Sequence, residues 1–236
     1  MRKVTLTKRL AAIAAMVTPG SCVADVGTDH GYIPAWLLQN GICPHVFASD
    51  IRKMPLQCAI DLAGKLGLSD RVTFYLCDGL NGYPAGEINT VIVAGMGGEN
   101  IAGILEAAPW TRQKNLILQP MSRPEALRRW LFETGYQITA ERLVCENGTI
   151  YPILSVCGGT AQAATEAEFY VGRQMHLSDD PLFPEHLTRW MHRLSRAANG
   201  LSQAADDGHR ERLEQLRLAI LQIEQMRRRL EDADSR

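Results

Sequence analysis

Short apolar runs alternate with segments of three- and four-residue hydrophobic spacing through the first two-thirds of the chain. The runs at residues 21–26, 45–49, 71–76, 90–94 and 116–119 predict strands. The run at 90–94 is unbroken, as expected of a strand buried on both faces. Between them, 33–39, 55–66 and 99–107 carry helical spacing, with Asn40-Gly41 and Gly67 as stops. Pro124 opens a further helix, where a first-turn proline costs nothing, and Gly135 ends it. Two last extended segments, 136–145 and 150–157, flank Glu146-Asn147-Gly148, and Asn-Gly between strands is a hairpin signal. The pattern predicts an α/β fold with a mainly parallel, seven-stranded sheet and an antiparallel edge hairpin.

The ends of the chain read differently. Leu6, Leu10, Ile13 and Val17 fall at helical spacing, and Lys8 and Arg9 interrupt the apolar run. This predicts an amphipathic helix rather than a signal peptide. Beyond Gly158-Gly159-Thr160 the strand signal disappears. Leu187, Trp190, Met191, Leu194 and Ala198 form one stripe; Leu213, Leu216, Ile220, Ile223 and Leu230 form a second. Asn199-Gly200 and residues 206–208 offer breaks between them. The division is therefore residues 1–159 as an α/β domain and 160–236 as an α-helical coiled-coil arm. Such an arm serves either packing or the clamping of a large substrate.

At 236 residues the chain can build this core without cross-links. No stretch approaches the roughly 20 apolar residues of a membrane span. The six cysteines are scattered singly, without CxxC pairs, so no metal site is expected and a reducing, cytoplasmic setting is. Oligomeric state is left open, a monomer being preferred. A net charge of −1 means that any nucleic-acid binding must rest on local basic clusters.

Candidate chemistry concentrates in VADVGTDHGYIP, residues 23–34: a strand, a glycine-bearing turn and a helix. That is the arrangement that holds a nucleotide-like cofactor at the carboxyl end of a parallel sheet. Asp29-His30 replace a glycine between Gly27 and Gly31, and the missing GxGxxG spacing disfavours a nicotinamide cofactor. Asp25, Asp50 and Asp78 each stand at the end of a successive strand. Three such acids resemble the class I methyltransferase arrangement for S-adenosylmethionine. VIVAGMGGENI, residues 91–101, crowds Gly95, Gly97 and Gly98 at the end of the fourth strand and leaves backbone bare beside the expected reaction centre.

GTDHGY, ASD followed by MPL, CDGL, AGMGG, and LILQP followed by LRRWL occur in this order. Together they resemble the bacterial tRNA adenine-22 N1-methyltransferase family, by motif over about residues 6–154 and by architecture beyond. The resemblance implies a Rossmann-like class I methyltransferase domain, S-adenosylmethionine as cofactor and tRNA as substrate. It implies that Asp25, Gly27, Thr28, His30 and Gly31 line the methionine end of the cofactor. Asp50 and Ile51 would hold the ribose, and Asp78 with Gly79 the adenine ring. Ala94, Gly95 and Met96 would shape the floor between sulfonium and target base. Two departures stand out: Arg52 and Met54 replace Asn and Gly, and QPM replaces QPN, so Met121 cannot hydrogen-bond a base edge.

Adenine N1 carries a lone pair in the neutral base, so its methylation needs no strong base beforehand. The product is cationic, and a carboxylate such as Asp29 can stabilise it or accept a proton from N6. Lys8, Arg9, Arg52, Arg123 and Arg128 are the candidate RNA contacts around the cofactor mouth. A small-molecule methyltransferase, or a cofactor-binding module acting through its coiled coil, are the competing readings.

Overall fold

The computed structural model describes residues 3–160, 162–203 and 210–234. After helix α1 (Lys8–Ala14), the chain runs β1 (Val23–Val26), α2 (Tyr32–Gln39), β2 (Val46–Asp50), α3 (Lys53–Leu66) and β3 (Val72–Leu76). It continues through β4 (Thr90–Gly97), α4 (Gly98–Glu106), β5 (Asn115–Ser122), α5 (Pro124–Glu133), β6 (Tyr136–Glu146) and β7 (Thr149–Gly158). The seven strands form one sheet in the order β3-β2-β1-β4-β5-β7-β6. The first five strands in that order run parallel, and β7 pairs antiparallel with both β5 and β6, as the sequence pattern predicts. Strand order reverses between β1 and β4, which opens a crevice at their carboxyl ends.

Alternation along each strand sorts side chains onto two faces. Ile92 joins Ile13, Leu37, Leu38 and Ala63 beneath α1, α2 and α3. Its neighbours Val91 and Val93 join Ile101, Leu105, Leu127 and Leu131 beneath α4 and α5. The hairpin turn is Asn147-Gly148 alone, both residues at positive φ (50° and 76°), the conformation that matches the twist of the flanking strands.

The carboxyl-terminal region departs from expectation in three respects. Two short helices precede the long ones, α6 (Glu166–Val171) and α7 (Gln174–Leu177), and both escaped the sequence pattern because each is barely a turn or two. Helix α8 (Phe183–Gln203) runs straight through Asn199-Gly200, so that pair is no break; residues 206–208 lie outside the described residues. Finally, the stripes of α8 and of α9 (Arg210–Asp234) do not pack only on each other. Leu187, Trp190, Leu194, Leu216, Ala219 and Ile223 share a core with Ala167, Tyr170 and Val171 of α6 and with Leu143 of β6. The helices are thus docked on the sheet edge.

A buried ion pair fastens that dock. Arg128 of α5 donates from Nε and Nη2 to Glu141 Oε2 (3.1 and 2.7 Å), and from Nη1 to the carbonyls of Phe169 and Tyr170. Glu141 also accepts from the Arg173 backbone N–H. Arg128 is 3% exposed, which overturns its assignment as an RNA contact. It shares the inward face of α5 with Leu127 and Leu131, and its countercharge sits on the edge strand, where periodicity gives no hint of it. Burial opposes ionisation of Glu141, but Arg128, His176 and the Arg173 N–H outweigh it and hold the carboxyl down at about 2.

Arg128→Ala leaves Glu141 buried without its countercharge, an expected loss of about 3–5 kcal/mol. The double change Arg128→Met with Glu141→Leu is expected to cost far less. Urea denaturation of the three proteins measures this, and equal losses would refute the pairing. Because the folded pKa of Glu141 is depressed, its stabilisation is complete above the ordinary 4.5 and is lost as the pH falls toward about 2.

Candidate functional site

The crevice at the switch point is a cavity of about 720 Å³, and one wall after another comes from a strand end. β1 carries Asp25 one residue before its end and runs into Gly27, Thr28, Asp29 and His30. β2 ends in Asp50, followed by Ile51 and Arg52. Asp78 and Gly79 follow β3, and Ala94, Gly95 and Met96 come from β4. Gly31 does not line the cavity itself; it stands at positive φ as the N-cap of α2.

The loop after β1 is tied to its neighbour by main-chain bonds. Thr28 N–H donates to the Ser49 carbonyl (2.7 Å), and Asp29 N–H donates to Asp50 Oδ2 (3.2 Å). Asp50 Oδ1 accepts from Arg52 N–H (2.9 Å). Each carboxylate oxygen of Asp50 thus keeps a lone pair for a ligand hydroxyl. Asp29 itself adopts φ 53°, a left-handed conformation that aspartate tolerates better than most residues. This turns its side chain outward: it is half-exposed, with His30 Nε2 at 3.8 Å. Gly27 is favoured for a different reason. It stands at φ 70°, and a β-carbon there would displace the terminal methyl of the Met96 side chain, so the turn and the β4 floor pack closely here.

The β4 floor contains a bulge. Ala94 pairs with Gln119 and Met96 with Pro120, so Gly95, at φ 79°, is an extra residue that lifts the backbone toward the cavity.

Asp25 is the most perturbed acid of the site. Burial drives its carboxyl up to about 6, the Thr28 hydroxyl offsets part of this, and the Asp50 carboxylate adds to it. The exposed Arg52 reaches Asp50 Oδ1 (Nε at 3.7 Å), but Asp25 has no ion pair among the described residues, and a buried carboxylate beside a second one is a site for a positively charged ligand. The two acids, the Asp50 lone pairs and the exposed Ile51 suit a ligand carrying an ammonium or sulfonium, a ribose diol and a flat ring.

Of the expected RNA contacts, Arg9 and Arg52 line this cavity and Lys8 is exposed on the first turn of α1. Arg123 is exposed, pairs with Glu99 and Glu125, and lines a second groove of about 770 Å³ between the end of β5 and α8. Met121, Tyr151, Trp190, Arg193 and Arg212 line the same groove. Sequence reasoning missed Asn81, Asn100 and Ile104, which also face the cofactor cavity. Asn100 was within reach, since it extends the AGMGG motif into the first turn of α4.

Residues 6–154 match the family model described as a methyltransferase domain. The Bacillus subtilis (strain 168) tRNA (adenine(22)-N(1))-methyltransferase is 30% identical over 224 residues, 92% of this chain and 94% of that one. This chain belongs to the tRNA (adenine-22-N1)-methyltransferase family. The crystal structure of the B. subtilis m1A22 tRNA methyltransferase TrmK superposes with a TM-score of 0.84 at 28% identity, covering 95% of this chain and 100% of that one. A Streptococcus pneumoniae protein, described as a candidate tRNA (m1A22) methyltransferase and solved with S-adenosyl-L-methionine, superposes at 0.77 with 30% identity, covering 94% and 100%. Membership bears out the Rossmann-like fold and the enzyme class that the motifs implied.

Asp25 sets a measurable expectation. Its raised pKa means that the unliganded protein is stabilised by the neutral acid below the ordinary 3.8, and that this contribution is lost as the pH rises through about 6. A cationic ligand reverses the preference. Calorimetry should show S-adenosylmethionine affinity rising between pH 5 and pH 7, and Asp25→Asn should flatten that rise. A wild-type affinity independent of pH would contradict the assignment.

Proposed function

We propose that this protein transfers a methyl group from S-adenosylmethionine to N1 of an adenine in tRNA, at position 22, in the cytoplasm. The carrying observation is that one cavity gathers Asp25, Asp50 and Asp78 from successive strand ends beside the bulged Gly95 floor, in a chain of this family. Asp25, Gly27, Thr28 and His30 hold the methionine end of the cofactor, Asp50 and Ile51 the ribose, and Asp78 and Gly79 the adenine, while Gly31 shapes the turn that carries them. When bound, S-adenosylmethionine would supply an electrophilic methyl to the adenine N1 lone pair, the carbon–sulfur bond breaking to leave the neutral thioether S-adenosylhomocysteine.

The protein's own part is alignment and charge. Ala94, Gly95 and Met96 bring bare backbone up to the face where the base lies, so that N1 meets the methyl in line. Asp29 faces the ring that becomes cationic and either stabilises it or takes the N6 proton. Residues 1–159 form the catalytic unit and 160–236 a helical unit that grips the tRNA across the groove lined by Arg123, Arg193 and Arg212. Phosphates along that groove fit its excess of cations. Six unpaired cysteines suit a reducing compartment.

Incubation with S-adenosylmethionine and a tRNA transcript carrying adenine at position 22, followed by nucleoside mass spectrometry, tests the reading. 1-Methyladenosine is expected, and is expected to vanish when guanine replaces that adenine. Its absence from the wild-type reaction would sink the proposal. Asp29→Asn should lower kcat by about 100-fold or more while leaving S-adenosylhomocysteine binding within a few-fold of wild type.

A further inference from the structure

Arg9 is held in an unusual way for a surface helix residue. Its Nη1 donates to Gln119 Oε1 (2.7 Å), and its Nε lies 3.3 Å from Glu146 Oε2. Its own backbone N–H donates to Glu146 Oε1 (3.1 Å). Glu146, the last residue of β6, thereby caps the amino end of α1 with negative charge and grips the side chain that α1 projects. Burial opposes this carboxylate, but the Thr7 hydroxyl and the Arg9 N–H groups outweigh it and hold its pKa below the usual range. Gln119 is wholly buried, and its Nε2 is spent on the Pro120 carbonyl, so its Oε1 is fixed toward Arg9.

The guanidinium so fixed stands over the reaction floor. A β-carbon at the bulged Gly95 would have Arg9 Nη1 as its nearest neighbour, at 3.9 Å. The Arg9 Cζ lies 6.0 Å from the centre of the Tyr151 ring. Arg9 lines the cofactor cavity and Tyr151 the second groove, so the pair marks the passage between them. Among the described residues Nη2 has no protein partner, although the other two nitrogens do. An arginine locked at two of its three nitrogens, with the third open at a reaction centre, is a preorganised donor.

We propose that Arg9 positions the target nucleotide, its free N–H groups holding an acceptor of that nucleotide while Glu146 and Gln119 lock the guanidinium over Gly95. This rests on the reading that the substrate is RNA. Glu146 and Gln119 act through Arg9 and are positioning residues. The acceptor is a base nitrogen or a phosphate oxygen, and salt dependence separates the two.

The test uses the full chain with Arg9→Ala, Arg9→Lys and Glu146→Gln. S-Adenosylhomocysteine affinity should stay within about twofold in all three. For tRNA methylation, kcat/KM should fall about 10- to 100-fold in both Arg9 variants, the worth of a charge-assisted hydrogen bond. Lysine is expected not to rescue, because it keeps the charge but loses the fork, and it serves where alanine loosens α1. Glu146→Gln should give a smaller loss of the same kind with Arg9 intact. If tRNA affinity plotted against salt has a shallower slope in Arg9→Ala, by about one, the acceptor is a phosphate; an unchanged slope with weaker binding places it on the base. A wild type that methylates tRNA, with Arg9 variants equal to it in kcat/KM and tRNA affinity, would overturn this proposal alone. A wild type inactive on tRNA would instead overturn the reading of substrate on which it rests.

Discussion

The parallel ladder of β1 with β2 on one side and β4 on the other decides where the chemistry lies. Val26 pairs with Ser49 and with Val93, so Gly27, Asp50 and Ala94 follow at one level of the sheet, although β4 itself runs on to Gly97. That shared register brings Asp25, Asp50 and Gly95 into one cavity although they lie far apart in sequence. A one-residue slip of β1 would send Asp25 to the opposite face of the sheet and turn Ala24 toward the ligand. Register is secured because Ala24 and Val26 are packed beneath α4 while Val23 is packed beneath α1 and α2.

The same register concentrates electrostatic cost. Asp25 and Asp50 are both buried, and burial together with the neighbouring Asp50 carboxylate makes the charge of Asp25 expensive. The fold gives Asp50 two backbone N–H donors and the Arg52 guanidinium, and leaves Asp25 to be relieved by a cationic ligand. The other buried acid, Glu141, is treated in the opposite way. It receives a full guanidinium and a backbone donor from the protein itself, and so belongs to architecture rather than to binding.

Strands, their order of appearance and the acids at their ends were legible because continuous apolar runs and glycine punctuation report buried parallel strands directly. The Asn147-Gly148 hairpin was legible for the same reason: its two residues prescribe a turn by themselves. Arg128 was misread since a single arginine in an amphipathic helix looks solvated until its partner on another strand is known. Asn199-Gly200 was misread since helix breaking by these residues is a weak local preference, and packing of Leu194 and Ala198 against the rest of the helical unit overrides it. Gln119 and Glu146 carried no signal at all, because what matters about them is the tertiary bond each makes to Arg9.

The contact of Arg9 with Glu146 spans 137 positions of sequence. A chain emerging from the ribosome can assemble β1 to β5 and their helices before residue 146 exists, but α1 then lacks the carboxylate that caps it and Arg9 has nothing to hold it over the floor. The cofactor pocket can therefore form early in synthesis, whereas the nucleotide-facing half of the site is completed only once the edge hairpin closes, making catalytic competence one of the last events of folding.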